Sequence, residues 1–247
     1  MTAVAGAASR PREIWTRLAI DPVADPLARW LAGRAGVTPN RITLVAAALG
    51  VAAVACLATG LLRVGGGLFL LRFLADCVDG KVARIQGTSS ARGALLDVAT
   101  DVVCVVGAYA ALGAWSSRDG RLAPAWAIAL LAAVAAYGWG LAHRKHLAAR
   151  AGRGDGGSSL HTRTDVPLIG GWLARCRRLD MSPVPWAVET ETLVLGLVPL
   201  LVPRLAPYGI VAALAFYLLA TLVNAVRMAR LAALLDRRTG PDGAAPW

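Results

Sequence analysis

Apolar stretches about 20 residues long, separated by short polar breaks, recur along the chain from residue 42 onward. A helix needs about 20 residues to cross a hydrocarbon core of about 30 Å. Six stretches meet that length: 42–62, 66–85, 91–115, 122–142, 184–202 and 207–235. They are continuous runs rich in Ala, Leu and Val, without the ten-residue alternation of a membrane barrel, so the backbone hydrogen bonds must close within helices. The pattern predicts an all-α, polytopic membrane protein with six transmembrane helices.

The flanking segments read differently. Over 13–35, Ile14, Trp15, Leu18, Leu27, Trp30 and Leu31 alternate with Arg17, Arg29 and Arg34, while Pro22 and Pro26 interrupt any single long helix. That spacing predicts short amphipathic juxtamembrane helices with Arg toward anionic lipid, a floppy basic tail being the plainer alternative. Thr38-Pro39-Asn40 then opens the first span, with Thr38 as N-cap and Pro39 at the first helical position. The connection 143–182 is the only long polar one, with a flexible Gly-rich middle at 152–157 and the apolar spacing of a surface helix at 166–179. Residues 1–10 and 236–247 are expected to be disordered. The predicted organisation is a cytoplasmic N-terminal segment over 1–37, a six-helix membrane domain over 38–235 and a cytoplasmic tail over 236–247. No internal repeat supports the inverted-repeat plan of many transporters. The first 40 residues hold no cleavable leader pattern, so the first span is expected to act as the insertion signal.

Composition agrees with the membrane reading. The 247 residues are 57% hydrophobic, with a mean hydropathy of +0.56. A net charge of +11 would in a soluble chain raise the question of nucleic acid, but its distribution answers it. In a six-span arrangement, 21 of the 26 Lys and Arg fall on one side, Arg72 lies within a span, and the other side keeps only Arg63, Arg118, Arg121 and Arg204. This positive-inside asymmetry predicts a cell-membrane protein with both termini in the cytoplasm and no nucleic-acid partner. Cys56, Cys77, Cys104 and Cys176 stand singly and read as small apolar fillers.

Ionisable groups within spans are costly and call for a reason. Asp76 and Asp79 sit i, i+3 near the end of the second span, and Asp97 and Asp101 sit i, i+4 near the start of the third, so each pair shares a helix face. A connection of a few residues lets the two faces meet. Four converging carboxylates would repel unless protonated or neutralised. Oxygen-only ligands favour Mg²⁺ or Mn²⁺, and two such ions suit displacement at phosphorus. Ion pairing with Arg72, Lys81, Arg84 and Arg92 is the structural alternative, and an acidic cation site in a transporter is the non-enzymatic one. Gly80 and Gly93 would let a bulky ligand approach the backbone, although packing glycines look the same. Arg84 can offer its planar fork to a phosphate.

Together these residues read Asp76-x-x-Asp79-Gly80-x-x-Ala83-Arg84, eight residues, then Gly93-x-x-x-Asp97-x-x-x-Asp101. The pattern resembles, at all eight fixed positions, the signature of the CDP-alcohol phosphatidyltransferase family, commonly dimeric six-helix enzymes. The resemblance implies metal-dependent transfer of a phosphatidyl group from a CDP-alcohol, expected to be a CDP-diacylglycerol-like lipid, to the hydroxyl of a small polyol or phosphorylated polyol, with release of CMP. It implies Asp76, Asp79, Asp97 and Asp101 as ligands of two ions, Mg²⁺ or Mn²⁺, and Asp101 also as general base. It implies Gly80, Ala83 and Gly93 as room for the cytidine diphosphate, Arg84 as its phosphate ligand and Asn40 as a further nucleotide contact. The site is then expected at the cytoplasmic face, with lipid tails left in the membrane and a homodimer as the assembly.

The acceptor alcohol is less legible. His143, Arg144 and Lys145 can form an anion pocket for a phosphorylated acceptor or simply face the membrane surface. Glu189 and Glu191 can attract an amino-alcohol acceptor, pair with Arg227 or Arg230, or sit at the interface. His161 reads as solvated, and Trp126, Trp139 and Trp186 read as interface anchors.

Overall fold

The computed structural model describes residues 13–151 and 170–239, with no side-chain detail for 237–239. A π-turn over Thr16–Ile20 leads into α1 (Asp21–Ala32), followed by α2 (Pro39–Ala58), α3 (Leu62–Gln86), α4 (Ala91–Arg118) and α5 (Pro124–Arg150). Beyond the undescribed stretch come α6 (Gly170–Arg178), α7 (Ala187–Glu191), a π-helical segment (Thr192–Leu197), α8 (Val198–Leu201), a 3₁₀ turn (Pro203–Leu205) and α9 (Ala206–Thr239). Among the described residues, four helical stretches are long and apolar enough to cross a membrane: Pro39–Ala58, Ala91–Arg118, Pro124–Arg150 and Pro203–Asp236. The second and fifth predicted spans are helical but fall outside that set. The second, α3, is interrupted by Arg63, Arg72, Asp76, Asp79, Lys81 and Arg84, and the fifth is broken into the α7, π and α8 pieces.

The observed helices differ from the predicted ones where polarity and helicity part company. α5 runs eight residues past 142, because His143-Arg144-Lys145-His146 are polar yet contain no helix breaker. α9 continues to Thr239, four residues past the predicted end at 235, so 236–239 are helical where disorder was expected, and 240–247 lie outside the described residues. Pro22 and Pro26 do not split the N-terminal segment: Pro22 falls in the first turn of α1, where a missing N–H costs little, and Pro26 is carried inside the helix. Thr38 and Pro39 stand at the N-cap and first position of α2 as expected, but the Thr38 hydroxyl makes no capping bond. The surface helix expected over 166–179 is seen as α6. The expectations for 1–10, 152–157 and His161 lie outside the described residues.

α2 packs on both α3 and α4, α9 packs on α5 and α4, and the π segment with α8 closes against α3. The shared core gathers Leu57, Phe69, Tyr109, Leu112, Leu130, Leu195, Ile210 and Tyr217. Tyr217 stands edge-on to Tyr109 and Tyr137, at centroid distances of 6.2 and 5.4 Å. A second cluster docks α1 on α3 through Ile20, Ala24 and Ala28, an i, i+4 stripe facing Phe73, Val78 and Val82. Asp21 and Asp25 of α1 both bind the Lys81 ammonium of α3, the Asp21 contact at 2.7 Å. Gln86 Nε2 donates to the carbonyls of Ala32 and Val37 at 3.3 and 3.1 Å. These bonds pin the juxtamembrane helix to the α3 end that carries the acidic motif.

Candidate active site

The motif is assembled by a tight turn between α3 and α4. α3 stops at Gly87, whose φ of +65° is the left-handed conformation that favours glycine at a helix C-terminus. α4 starts at Ser90, whose hydroxyl accepts the Gly93 N–H at 3.1 Å as an N-cap. The antiparallel pair therefore brings the two acidic faces together. The Asp76 and Asp97 carboxylates come within hydrogen-bonding reach of each other across the two helices. Asp79 is buried and accepts a 2.6 Å hydrogen bond from the Thr43 hydroxyl of α2. Arg72, one turn before Asp76 and 2% exposed, sets its guanidinium 3.5 Å from Asp76 and in direct contact with Asp101, whose side chain is 47% exposed.

Two alternatives left open by the sequence are resolved here. Of the four cations offered as partners for the acids, Lys81 is taken by α1 and Arg72 alone is seen paired with the cluster. The sequence placed Arg72 in a span without placing it at the centre of the site. Gly80 does not face a neighbouring helix, and Gly93 faces Asn40 at the start of α2. A Cβ on Gly80 would meet the Arg84 guanidinium at 3.5 Å, and one on Gly93 would meet Ser90 Oγ at 3.2 Å and Asn40 Oδ1 at 3.9 Å. Both glycines open onto a cavity of about 200 Å³ lined by Asn40, Thr43, Asp79, Gly80, Ala83, Arg84, Ser90, Gly93 and Asp97. Every residue expected to contact the nucleotide thus lines one chamber, with two of the four carboxylates at its edge. Thr43 and Ser90 were not singled out from the sequence; Thr43 lies three residues after Asn40 on the same helix face, the one signal that could have found it.

The donor set fits divalent cations. Its ligands are all oxygens, and a cation already bridges Asp76 and Asp101, so the cluster is organised around positive charge. No group of three or more such side chains is closed into a ready cage among the described residues. Arg72 pairs with Asp101 and Asp76, and Thr43 donates to Asp79, so three of the four carboxylates are already fixed by partners.

The residues expected to read the acceptor do not form one pocket. Successive helical positions turn by about 100°, so His143, Arg144 and Lys145 cannot share a face. Arg144 is buried, while His143 and Lys145 are exposed, and His143 Nδ1 lies 3.1 Å from the Trp139 carbonyl one turn back. Glu189 is engaged structurally: Oε2 accepts the Trp186 N–H at 2.7 Å as a helix cap and Oε1 accepts the Trp15 N–H at 3.3 Å. Glu191 instead points into the bundle and accepts a 2.7 Å hydrogen bond from the Tyr217 hydroxyl, within Coulomb range of Asp101 and Arg72.

Comparison with known proteins agrees with the site. Residues 36–235 match the CDP-alcohol phosphatidyltransferase family. The chain is 32% identical over 186 residues to the phosphatidylinositol phosphate synthase of Mycolicibacterium smegmatis, an alignment covering 74% of this chain and 81% of that protein. It is 36% identical over 96 residues to the protein of the same name from Mycobacteroides abscessus, covering 38% and 43% of the two chains. Its fold is similar to the crystal structure of Mycobacterium tuberculosis phosphatidylinositol phosphate synthase with CDP-DAG bound, at a TM-score of 0.51 and 22% identity over 92% of this chain and 98% of that one. The chain belongs to the CDP-alcohol phosphatidyltransferase family and is a multi-pass membrane transferase of phospholipid synthesis that moves a phospho-alcohol group from a CDP-alcohol donor to an alcohol.

Proposed function

We propose that the donor is CDP-diacylglycerol, that the acceptor is a small polyol or phosphorylated polyol with inositol phosphate the first to test, and that the acidic cluster is the reaction centre. The observation that carries this reading is the single chamber in which Asn40, Gly80, Ala83, Arg84 and Gly93 meet Asp79 and Asp97. The names of the M. smegmatis and M. abscessus relatives support the phosphorylated polyol.

In this reading Asp76, Asp79, Asp97 and Asp101 hold two ions, Mg²⁺ or Mn²⁺. When bound, such ions neutralise the diphosphate and stabilise the charge that develops on the departing phosphate. The chain's own residues do the rest. Gly80, Ala83 and Gly93 leave the volume that a nucleotide needs, Asn40 contacts it from the start of α2, and the exposed Arg84 fork binds a phosphate oxygen pair. Asp101, the most exposed acid of the cluster for which pairing is seen, takes the proton of the acceptor hydroxyl as that oxygen bonds to the lipid-bearing phosphorus and the bond to CMP breaks. Arg72 must yield Asp101 for this to happen.

The same reading gives six membrane crossings, the second through α3 and the fifth through the broken α7 to α8 run. Both termini and the carboxylate site lie on the cytoplasmic side, where the excess of Lys and Arg falls. The juxtamembrane α1 rests on membrane lipid beside the site, donor tails remain in the bilayer, and the enzyme is a homodimer. An amino-alcohol acceptor is the second reading, favoured by the Glu191 carboxylate on the Asp101 side of the cluster.

The deciding experiment supplies purified protein with CDP-diacylglycerol, Mn²⁺ and a panel of polyols, phosphorylated polyols and amino alcohols, and identifies the product lipid by mass. CMP release with inositol phosphate or another polyol is expected. Turnover with amino alcohols alone would select the second reading, and cation flux without CMP release from any acceptor would mark a transporter.

A further inference from the structure

The end of the bundle opposite the carboxylates carries a second site. The positive-inside pattern leaves only four basic residues on that side, Arg63, Arg118, Arg121 and Arg204, and each stands against a trend that keeps Lys and Arg away. Three of them line one groove of about 410 Å³, although they come from three separate places in the chain, the first turn of α3, the connection before α5 and the 3₁₀ turn before α9. Arg118 stands at the same end and donates to the Ala58 carbonyl. Asp119, which pairs with Arg121, is the acidic side chain seen to offset them, and Arg63 and Arg204 show no acidic partner among the described residues. The Trp115 ring forms one wall, 5.7 Å from the Arg121 guanidinium carbon. Gly60, at φ +85°, admits the indole, since a Cβ there would come within 2.7 Å of Trp115 Nε1. The lip is apolar and open: Leu61 is 57% exposed and Val64 53%.

Asp79 lies sixteen residues along α3 from Arg63, about 24 Å at 1.5 Å per residue, so the groove sits near the far interface of a hydrocarbon core about 30 Å thick. Convergent guanidiniums at interface depth bind a phosphate oxygen strongly, and an apolar lip open to the bilayer accepts acyl chain. A soluble anion would use the first feature and leave the second without a function.

We propose that this groove is a binding site for the phosphodiester of an anionic phospholipid in the leaflet opposite the catalytic centre. The guanidiniums of Arg63, Arg121 and Arg204 hold the phosphate, Trp115 borders the headgroup, and Leu61 and Val64 meet the chains.

Trp115 supplies the local probe. Full-length protein is placed in vesicles of phosphatidylcholine containing either phosphatidylglycerol or further phosphatidylcholine brominated on its acyl chains. The Trp115 signal is the difference between the wild type and W115F. In titrations over mole fraction, equal quenching is expected at about tenfold less brominated phosphatidylglycerol than brominated phosphatidylcholine, and the preference is expected to vanish in R63Q/R121Q/R204Q. Unchanged CMP release by that variant is expected and shows an intact fold; if it does not fold, Arg204→Glu, on the exposed 3₁₀ turn, carries the same comparison. Equal quenching by the two lipids in the wild type, or a preference kept by the variants, overturns the proposal. Abolition of the preference by millimolar inorganic phosphate overturns it too, because the occupant would then be a free anion.

Discussion

The nucleotide side and the acceptor side of the site are built in opposite ways. The nucleotide chamber comes from one face of α3, one face of α4 and the first turn of α2, elements adjacent in sequence and joined by short turns. The residues proposed for the acceptor come instead from α5 and α7, far apart in sequence, and Glu191 meets Tyr217 of α9 only across 26 positions. A site made of close-set helical repeats carries its spacing in the sequence, whereas one made of single residues from distant helices does not.

Substitutions test that contrast, beginning with the largest effect. Asp101→Asn is expected to lower CMP release by about 10²- to 10⁴-fold, the usual contribution of a positioned base, with nucleotide binding retained. Gly93→Leu fills the chamber beside Asn40 and Ser90 and is expected to raise the KM for CDP-diacylglycerol by at least about tenfold, because a Cβ there already meets Ser90 Oγ at 3.2 Å and Asn40 Oδ1 at 3.9 Å and the rest of the side chain enters the chamber. Arg84→Gln removes one charged hydrogen-bonding fork and is expected to weaken the donor by about 10- to 100-fold, read as KM.

Arg72→Gln leaves Asp76 and Asp101 facing each other without a cation. Stability in EDTA is expected to fall by ~2 kcal/mol, less than for a fully buried pair because Asp101 is half exposed. The loss should shrink when Mn²⁺ is added, so the Tm gap between EDTA and Mn²⁺ widens. An equal loss in both conditions would make Arg72 a packing residue only. Lys145→Ala, on the exposed face of α5, is expected to change activity less than about twofold, in contrast to its buried neighbour Arg144.

What the sequence made legible follows the same division. Four of the six apolar runs coincide with helices long and apolar enough to cross a membrane, because burial in lipid depends on a simple count of consecutive apolar residues, whereas the second is interrupted by charges and the fifth is broken into the α7, π and α8 pieces. Their ends were misplaced at 142 and 235, since charge ends a hydropathic run without ending a helix. The two acidic pairs and the glycines were legible because period and turn length fix their facing. Asp21 and Asp25 holding Lys81, Thr43 holding Asp79 and Glu189 holding Trp15 were not, because nothing within a few residues of each names its partner. Arg72 was visible as a charge in a span, but its insertion between Asp76 and Asp101 was not, because Asp101 is 29 residues away on another helix.

The account rests on the four carboxylates acting as a cation site. Its most direct test is the number of Mn²⁺ ions bound per chain at saturation, counted by electron paramagnetic resonance in the presence of CDP-diacylglycerol, for the wild type and for Asp97→Asn. Two ions in the wild type and at most one in the variant are predicted; a count that Asp97→Asn leaves unchanged would contradict the assignment.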